Sequence, residues 1–433
     1  MGYKVYAGTL KANDGVDWNT YSWVTKSLIY SNEGDSISGA DESPVLLDPE
    51  LTMKANDPNS FTFKVPNRCT GVDGTVHTNP WYNNFVLRHT VVSVEEDGKE
   101  IFVGYVKTTE LNFDKTKTIT VVGMMDIFND SQLAMEPTKW LTTMKTGGYT
   151  EQASIINWFR PYLNLPCEDP DTELPMRFDF EHCDLAVDKY TDTTEDGWQS
   201  LSYMDMLQKY WLDEYGGYIW LTSEKVAENK YRFVLHYSSS GFETTAQKIE
   251  YGKNLLDLTV TEDTGNIVNS VAVNGVVTKK KGWWIFKRTT TEYVSGYAND
   301  PESMKRYGLH KKEFYSDDVA SDSDCDTLAS EELKTYDHYA IPELVLTAYD
   351  RADAGVQTDR LGFMKRSAVV SAPHDINGIY LCTAQTLPLD DLGNKVFAFG
   401  VPPVTLTKQQ NQLTSAQNAT RSITRGIVSH LNS

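Results

Sequence analysis

The sequence predicts a β-rich α+β fold: two antiparallel β-barrel-like domains flanking a mixed α+β region, with a C-terminal helix. Three observations carry this. Short runs rich in β-branched and aromatic residues, punctuated by Gly, Pro, Asn and Asp, fill residues 1–122 and recur over 258–400. Between these blocks, apolar residues fall at helical spacing. Aromatic residues make up 12% of the 433, with 24 Tyr and 10 Trp, a usage that suits strands and contact surfaces.

In the first block, Pro44–Leu47, Leu51–Lys54, Phe61–Val65, Phe85–Val94, Glu100–Thr108 and Thr116–Val122 alternate or run apolar. Turn signals separate them: Asn13-Asp14-Gly15, Asn56-Asp57-Pro58, Asp73-Gly74, Asn79-Pro80 and Asp97-Gly98. Val91–Glu95 and Glu100–Val106, joined at Glu96-Asp97-Gly98-Lys99, predict a hairpin.

Residues 123–257 read as the mixed unit. Met124–Leu133, Glu151–Tyr162 and Leu201–Tyr215 carry helical periodicity, the last stopping at Gly216-Gly217. Tyr218–Leu221 and Tyr231–Tyr237 predict a second hairpin. Residues 168–196 hold 11 acids against Arg177 and Lys189. Two readings stand for that stretch: a solvated face, or the negative lining of a channel.

Residues 258–400 return to strands at Leu255–Thr261, Asn269–Val277, Trp283–Thr291, Glu343–Tyr349, Ala368–Ser371, Gly378–Gln385 and Lys395–Phe399. Glu331–His338 predicts one inserted helix. Residues 401–433 are polar. Leu406, Leu413, Thr420 and Ile427 recur every seven residues, so this segment is either a helix that pairs with copies of itself or a frayed polar tail.

Charge narrows the function. Forty basic against 60 acidic residues give −20, which repels phosphate backbones and excludes tight nucleic-acid binding by the bulk surface. An acidic wall along which DNA slides without sticking is compatible with it. Five scattered Cys without a CxxC predict free thiols and a reducing compartment. Met1–Leu10 alternates and has no apolar core of a signal peptide, and no run approaches the roughly 20 apolar residues of a membrane span. A soluble chain made inside a cell is expected.

The search for chemistry is mostly negative: no HExxH, GxSxG, Walker A or GxGxxG pattern occurs. His182-Cys183 are neighbours, and neighbours on a strand face opposite ways, so a shared proton is not expected. Asp322-Ser323-Asp324-Cys325-Asp326 starts like a calcium loop. Thr327 stands where the loop needs Gly and Leu333 where it needs Glu, so the acids predict a helix N-terminus instead. Lys279-Lys280-Lys281-Gly282-Trp283-Trp284 reads as a hairpin tip whose lysines block edge pairing, or as a contact for an acidic partner. No catalytic, cofactor-binding or metal-binding residue is assigned, and no cofactor is expected.

A set of motifs in order carries a resemblance. Ser43-Pro44-Val45-Leu46-Leu47-Asp48-Pro49-Glu50-Leu51-Thr52 is followed by Asn56-Asp57-Pro58-Asn59-Ser60-Phe61-Thr62-Phe63-Lys64-Val65-Pro66. Then come Asn79-Pro80-Trp81-Tyr82-Asn83, Asp97-Gly98-Lys99-Glu100-Ile101-Phe102-Val103-Gly104-Tyr105-Val106, Asn129-Asp130-Ser131 and Tyr251-Gly252-Lys253-Asn254-Leu255-Leu256-Asp257-Leu258. Over residues 40–400 this order resembles the tail-hub family of long-tailed phages and prophages of Gram-positive bacteria. That family is also called tail-associated lysin or prophage tail endopeptidase, and it is similar to the baseplate hub of contractile-tailed phages. Lys365–Phe399, with Ser371-Ala372-Pro373-His374, resembles the family's last barrel.

The resemblance implies a virion protein of the tail tip, assembled in the host bacterial cytoplasm as a homotrimer. Two barrels per chain would give a ring of near six-fold symmetry, docked on a hexamer of distal tail protein. The trimer would close the tail tube and open for the tape-measure protein, with DNA a partner only in transit. About 30 residues follow the last barrel and hold no Cys/His or His/Asp constellation, so a receptor-binding or lytic part is expected on a separate chain. Two other readings compete: a peptidoglycan hydrolase acting on the host wall, and a carbohydrate-binding adhesin using the surplus Tyr and Trp.

Overall fold

A computed structural model describes residues 2–13, 20–33, 46–70, 75–130, 132–135, 179–183, 199–213, 216–265, 267–281, 288–334, 336–340 and 343–400. The predicted helix Glu151–Tyr162, most of the acidic stretch 168–196, the tip Gly282–Lys287 and the tail 401–433 lie outside them. The described residues form two compact units, one built from residues 1–258 and 345–433, the other from 259–344.

The first unit is β-rich. Its early strands are β1 Tyr3–Ala12, β2 Tyr21–Ser31, β3 Leu47–Lys54, β4 Ser60–Pro66, β5 Arg68–Thr70, β6 Val76–Thr78, β7 Val91–Glu96, β8 Lys99–Leu111 and β9 Thr116–Gly123. After them come β10 Gln132–Met135, β11 Asp179–Cys183, β12 Gln199–Ser202, β13 Tyr218–Ala227, β14 Lys230–Ser238 and β15 Thr244–Glu250. The chain leaves this unit along β16 Leu255–Thr261 and returns along β20 Glu343–Ala348, then adds β21 Arg366–Ser371, β22 Ile376–Pro388 and β23 Val396–Phe399.

One large, mainly antiparallel sheet runs β11-β14-β2-β1-β7-β8-β9-β4-β3-β22-β23. The β3–β22 pair joins early to late sequence, with Leu51 opposite Leu387 and Thr52 opposite Thr386. Alternation decides which side is core. In β4, Phe61, Phe63 and Val65 turn inward while Thr62 and Lys64 turn out. They meet Tyr3, Val5 and Ala7 of β1, Ile119 and Val121 of β9, and Leu387 and Leu389 in one buried cluster. Phe61 and Phe63 lie 5.2 Å apart, and Phe63 meets Phe85 edge-on at 5.2 Å. Each such ring contributes about 1.5–3 kcal/mol through burial.

The predicted first hairpin is β7–β8, turned at Asp97 and Gly98 with φ of 49° and 78°. Two left-handed residues in sequence suit the right-handed twist of the strands. The second is β13–β14, turned at Asn229 with φ 54°. In β8, Gly104 passes so close to β9 that a Cβ would fall 2.2 Å from the Val122 carbonyl oxygen.

Three expectations are corrected. Phe85–Thr90 is a turn, not the start of a strand: Thr90 Oγ1 accepts from Val86 N–H and donates to Asn84 C=O, and Arg88 sits at φ 63°. Met124–Leu133 is helical only from Met124 to Asp130, after which β10 pairs with β12. The helix placed at Glu331–His338 is instead Asp322–Leu333. Ser321 starts it, its side chain accepting from Asp324 N–H at 3.2 Å. His338 Nε2, 2.7 Å from the Leu333 carbonyl oxygen, closes its far end.

The second unit is a three-stranded sheet in the order β18-β17-β19, formed by β17 Ser270–Lys281, β18 Arg288–Asn299 and β19 Lys311–Tyr315. Helix Asp322–Leu333 packs on one face through Cys325, Ala329 and Leu333, one residue per turn, against Val271, Val273 and Val294. Gly296 is required there: a Cβ would lie 2.3 Å from Asp326 N and 2.6 Å from the Cys325 carbonyl carbon.

Candidate functional site

The residues singled out for chemistry fall on structural duties. Asp322 Oδ1 accepts from Ser295 N–H at 2.9 Å and Asp326 Oδ1 from Tyr297 N–H at 3.0 Å. Four residues of helix rise about 6 Å and two residues of strand about 6.8 Å, so these two acids match alternate N–H groups on the free edge of β18. Asp324 Oδ2 accepts from Ala320 N–H at 3.0 Å. Among the described residues no group of three or more His, Cys, Asp or Glu could hold a metal ion.

Ser371 Oγ and His374 Nδ1 lie 2.6 Å apart and close the short helical turn Ala372–His374, with His374 edge-on to Tyr251. His182 and Cys183 lie on β11 and Lys279–Lys281 on β17; their side chains, and residues Trp283 and Trp284, fall outside the described set. Cys69, Cys325 and Cys382 are buried and form no disulfide. Burial pushes the Cys382 thiol far above its usual range, which keeps it protonated and unreactive.

The motif Tyr251-Gly252-Lys253-Asn254 shows its physics plainly. Asn254 is buried; its Oδ1 accepts from Glu250 N–H, and its Nδ2 donates to the carbonyls of Lys248 and Tyr349. The side chain thus ties the turn before β16 to the strand that returns at β20.

The feature best placed to meet another molecule is the far end of the β8–β9 hairpin. β7 accompanies β8 only as far as Tyr105, so Thr108–Leu111 have β9 on one side and no strand on the other among the described residues. Every side chain from Lys107 to Leu111 is exposed. The tip is built firmly: Asn112 Nδ2 donates to Thr116 Oγ1 and Thr118 Oγ1 at 2.9 Å each, and Asp114 Oδ1 accepts from Thr116 N–H at 3.0 Å. This frame holds Leu111 at 70% exposure and Phe113 wholly exposed. An unpaired strand edge beside an apolar tip is a template for pairing.

The hairpin's base is anchored by charge. Asp126 is buried; its Oδ2 accepts from Tyr105 O–H and Lys107 Nζ at 2.6 Å each, and its Oδ1 from Asn129 Nδ2 at 3.0 Å. Burial favours the neutral acid, but Lys107, Tyr105 and Asn129 outweigh it and hold this carboxyl below the usual range. Arg88 adds an ion pair to Asp130.

A second network fastens early to late sequence at the β7–β8 turn. Arg360 meets Glu96 at 3.4 Å, Asp353 at 3.0 Å and Asp97. Lys395 Nζ lies 2.7 Å from Asp353 Oδ2, and Tyr3 O–H donates to Glu96 at 2.8 Å. Asp97 Oδ1 also accepts from Gly2 N–H, which together with Arg360 lowers its pKa against the effect of burial. Sequence reasoning missed this network, since Glu96 and Arg360 are 264 residues apart. The only local signal was the Asp97-Gly98 turn.

No family model matches the chain, and no curated protein matches it. Solved structures resemble it over most of its length. The 43 kDa tail protein of prophage MuSo2 from Shewanella oneidensis is 11% identical, with a TM-score of 0.46, over 92% of this chain and 98% of that one. The prophage tail protein gp18 from Listeria monocytogenes is 14% identical, with a TM-score of 0.43, over 96% and 99%. The tail protein from Neisseria meningitidis is 9% identical, with a TM-score of 0.47, over 93% and 97%.

Proposed function

We propose that this chain is a structural hub of a phage tail tip and not an enzyme. Three copies form a ring that docks on a hexamer of distal tail protein, closes the tube, and opens for the tape-measure protein and DNA. Residues 1–122 and 258–400 supply the two barrel-like parts of each copy, and residues 401–433 a polar helix or tail. The observation that carries this reading is the β8–β9 arm, whose unpaired Thr108–Leu111 edge and exposed Phe113 need a partner to bury them. An edge that meets a different surface of the next copy produces a ring when the rotation closes. The ordered motifs over residues 40–400 add their resemblance to the tail-hub family.

Light scattering on the full chain, alone and with a hexamer of distal tail protein, tests it. A trimer in either setting is expected; a stable dimer, or a monomer that ignores the hexamer, overturns it. Zymography on Gram-positive cell walls separates the hydrolase reading. No clearing is expected, and reproducible clearing would overturn the structural assignment.

A further inference from the structure

The β18-β17-β19 sheet has one face under helix Asp322–Leu333; the other, among the described residues, is exposed around Tyr293 and buried at Ala272. Register sets what the open face presents. Tyr293, Ser295 and Tyr297 of β18 lie opposite Val276, Asn274 and Ala272 of β17, and Asn274 and Ala272 lie beside Tyr315 and Glu313 of β19. Tyr293 is 85% exposed, Tyr297 69% and Tyr315 47%. Rings this open on a sheet contribute no core packing. The polar side chains between them are tied together: Asn274 Nδ2 donates to Glu313 Oε1 at 2.6 Å, and Lys311 Nζ lies 3.1 Å from Glu313 Oε2.

Charge limits what can sit there. Lys311 and Glu313 cancel, and Asp317 lies beside Tyr315, so the described side chains of the face carry no net positive charge. Asp322 and Asp326 lie on the other layer, where they bind backbone N–H groups. A nucleic-acid strand also stacks on aromatic rings, but it needs a basic groove, and Lys311, beside the rings, is already paired with Glu313. A protein hot spot combines aromatic rings with Arg and Met and excludes Ser, Lys and Glu. Here the positions between the rings carry a hydroxyl, an amide and a carboxylate. That mixture suits a ligand with apolar faces and many hydroxyls, each needing a donor or acceptor. Tyr293 and Tyr297 are four residues apart on one strand, roughly 14 Å, which leaves room for more than one sugar ring between them.

We infer that the open face of this sheet binds an uncharged polysaccharide, with Tyr293 and Tyr297 stacking on sugar rings and Asn274 and Glu313 bonding their hydroxyls. This binding activity is separate from the hub assignment and does not depend on it.

The test is calorimetric titration of the full chain with three probes of equal length: an N-acetylglucosamine hexamer, maltohexaose, and an anionic galacturonic acid hexamer. Binding is expected for at least one uncharged hexamer and weaker binding for the anionic one. The Tyr293→Ala/Tyr297→Ala chain should lose about tenfold or more in affinity, since both stacking surfaces are gone. The Tyr293→Phe/Tyr297→Phe chain, which keeps the rings, should stay within about threefold. Because both side chains are exposed, the folded state should survive, and circular dichroism checks that. No binding of either uncharged hexamer, unchanged affinity in the alanine chain, or preference for the anionic hexamer would each overturn the inference. A shift in oligomeric state in the alanine chain, with sugar binding intact, would assign the face to a second copy and overturn it as well.

Discussion

Lys395 and Asp353 face each other at 2.7 Å with each side chain only 2% exposed. Their alignment falls short of hydrogen-bond geometry, so the attraction is that of two buried charges. Asp353 also takes Arg360 at 3.0 Å, which makes it the shared anion of two cations. Removing it takes this ion pair from Lys395, while Arg360 keeps Glu96 and Asp97. Asp353→Asn should cost about 3–5 kcal/mol, whereas Lys395→Met leaves Asp353 with Arg360 and should cost about 1–3 kcal/mol. Urea denaturation of both variants checks the order; a Lys395→Met chain less stable than Asp353→Asn would refute the shared-anion reading.

Glu100 supplies a pH signature. Its carboxyl is buried near Ser93 of β7 and Ser223 of β13, and burial pushes its pKa up to about 7 from 4.5, with Ser223, Lys26 and Ser93 opposing the rise. An acid that holds its proton more tightly in the folded state stabilises the fold at acid pH. That contribution fades as pH climbs from 4.5 through about 7. Between pH 4.5 and 7.5 the loss should amount to about 1–3 kcal/mol. Glu100→Gln, which carries no charge, should remove that slope and be the more stable chain at pH 8. Thermal unfolding of both chains at several pH values measures it; parallel curves would reject the buried-acid account.

Much of this fold was legible in the sequence where the signal is local. The β7–β8 hairpin announces itself through Asp97-Gly98 between alternating runs, and both residues take the positive φ that the turn requires. β4 and β9 follow from plain alternation. The readings that failed did so where a side chain overrode the pattern. Phe85 and Val86 continue into Val91 as apolar sequence, but Thr90 captures the backbone of residues 84–86 and forces a turn. The acids Asp322, Asp324 and Asp326 mark the start of helix Asp322–Leu333 in the sequence, but one buried residue per turn is too thin a stripe to fix its span, and periodicity alone reads the helix at Glu331–His338. The Arg360–Asp353–Lys395 network left no trace in sequence, because spatial neighbours so far apart along the chain have no pattern to betray them.

Gly296 tests the second unit by itself. Its missing side chain lets helix Asp322–Leu333 approach within reach of the Asp326 and Cys325 backbone. Both obstacles are main-chain atoms, which cannot rotate away. Gly296→Ala should therefore destabilise residues 259–344 by about 1–3 kcal/mol or more. Limited proteolysis should then cut first within that segment while residues 1–258 resist. Equal protease resistance in the variant and the parent chain would show that the helix can shift without cost.

The β8–β9 arm yields the last prediction, and it separates assembly from folding. Leu111 and Phe113 stand clear of the core, so exchanging them should leave the fold within about 0.5 kcal/mol of the parent. An apolar tip that anchors a neighbouring copy would behave otherwise in association. Burying one exposed phenylalanine contributes about 1.5–3 kcal/mol, so losing it at every contact of a ring weakens closure by more than tenfold. Phe113→Ser should thus leave the thermal midpoint unchanged while light scattering shows fewer trimers at the same concentration. Leu111→Lys should act in the same direction, adding a charge beside the free edge. If both variants assemble as the parent does, the arm is not the subunit contact.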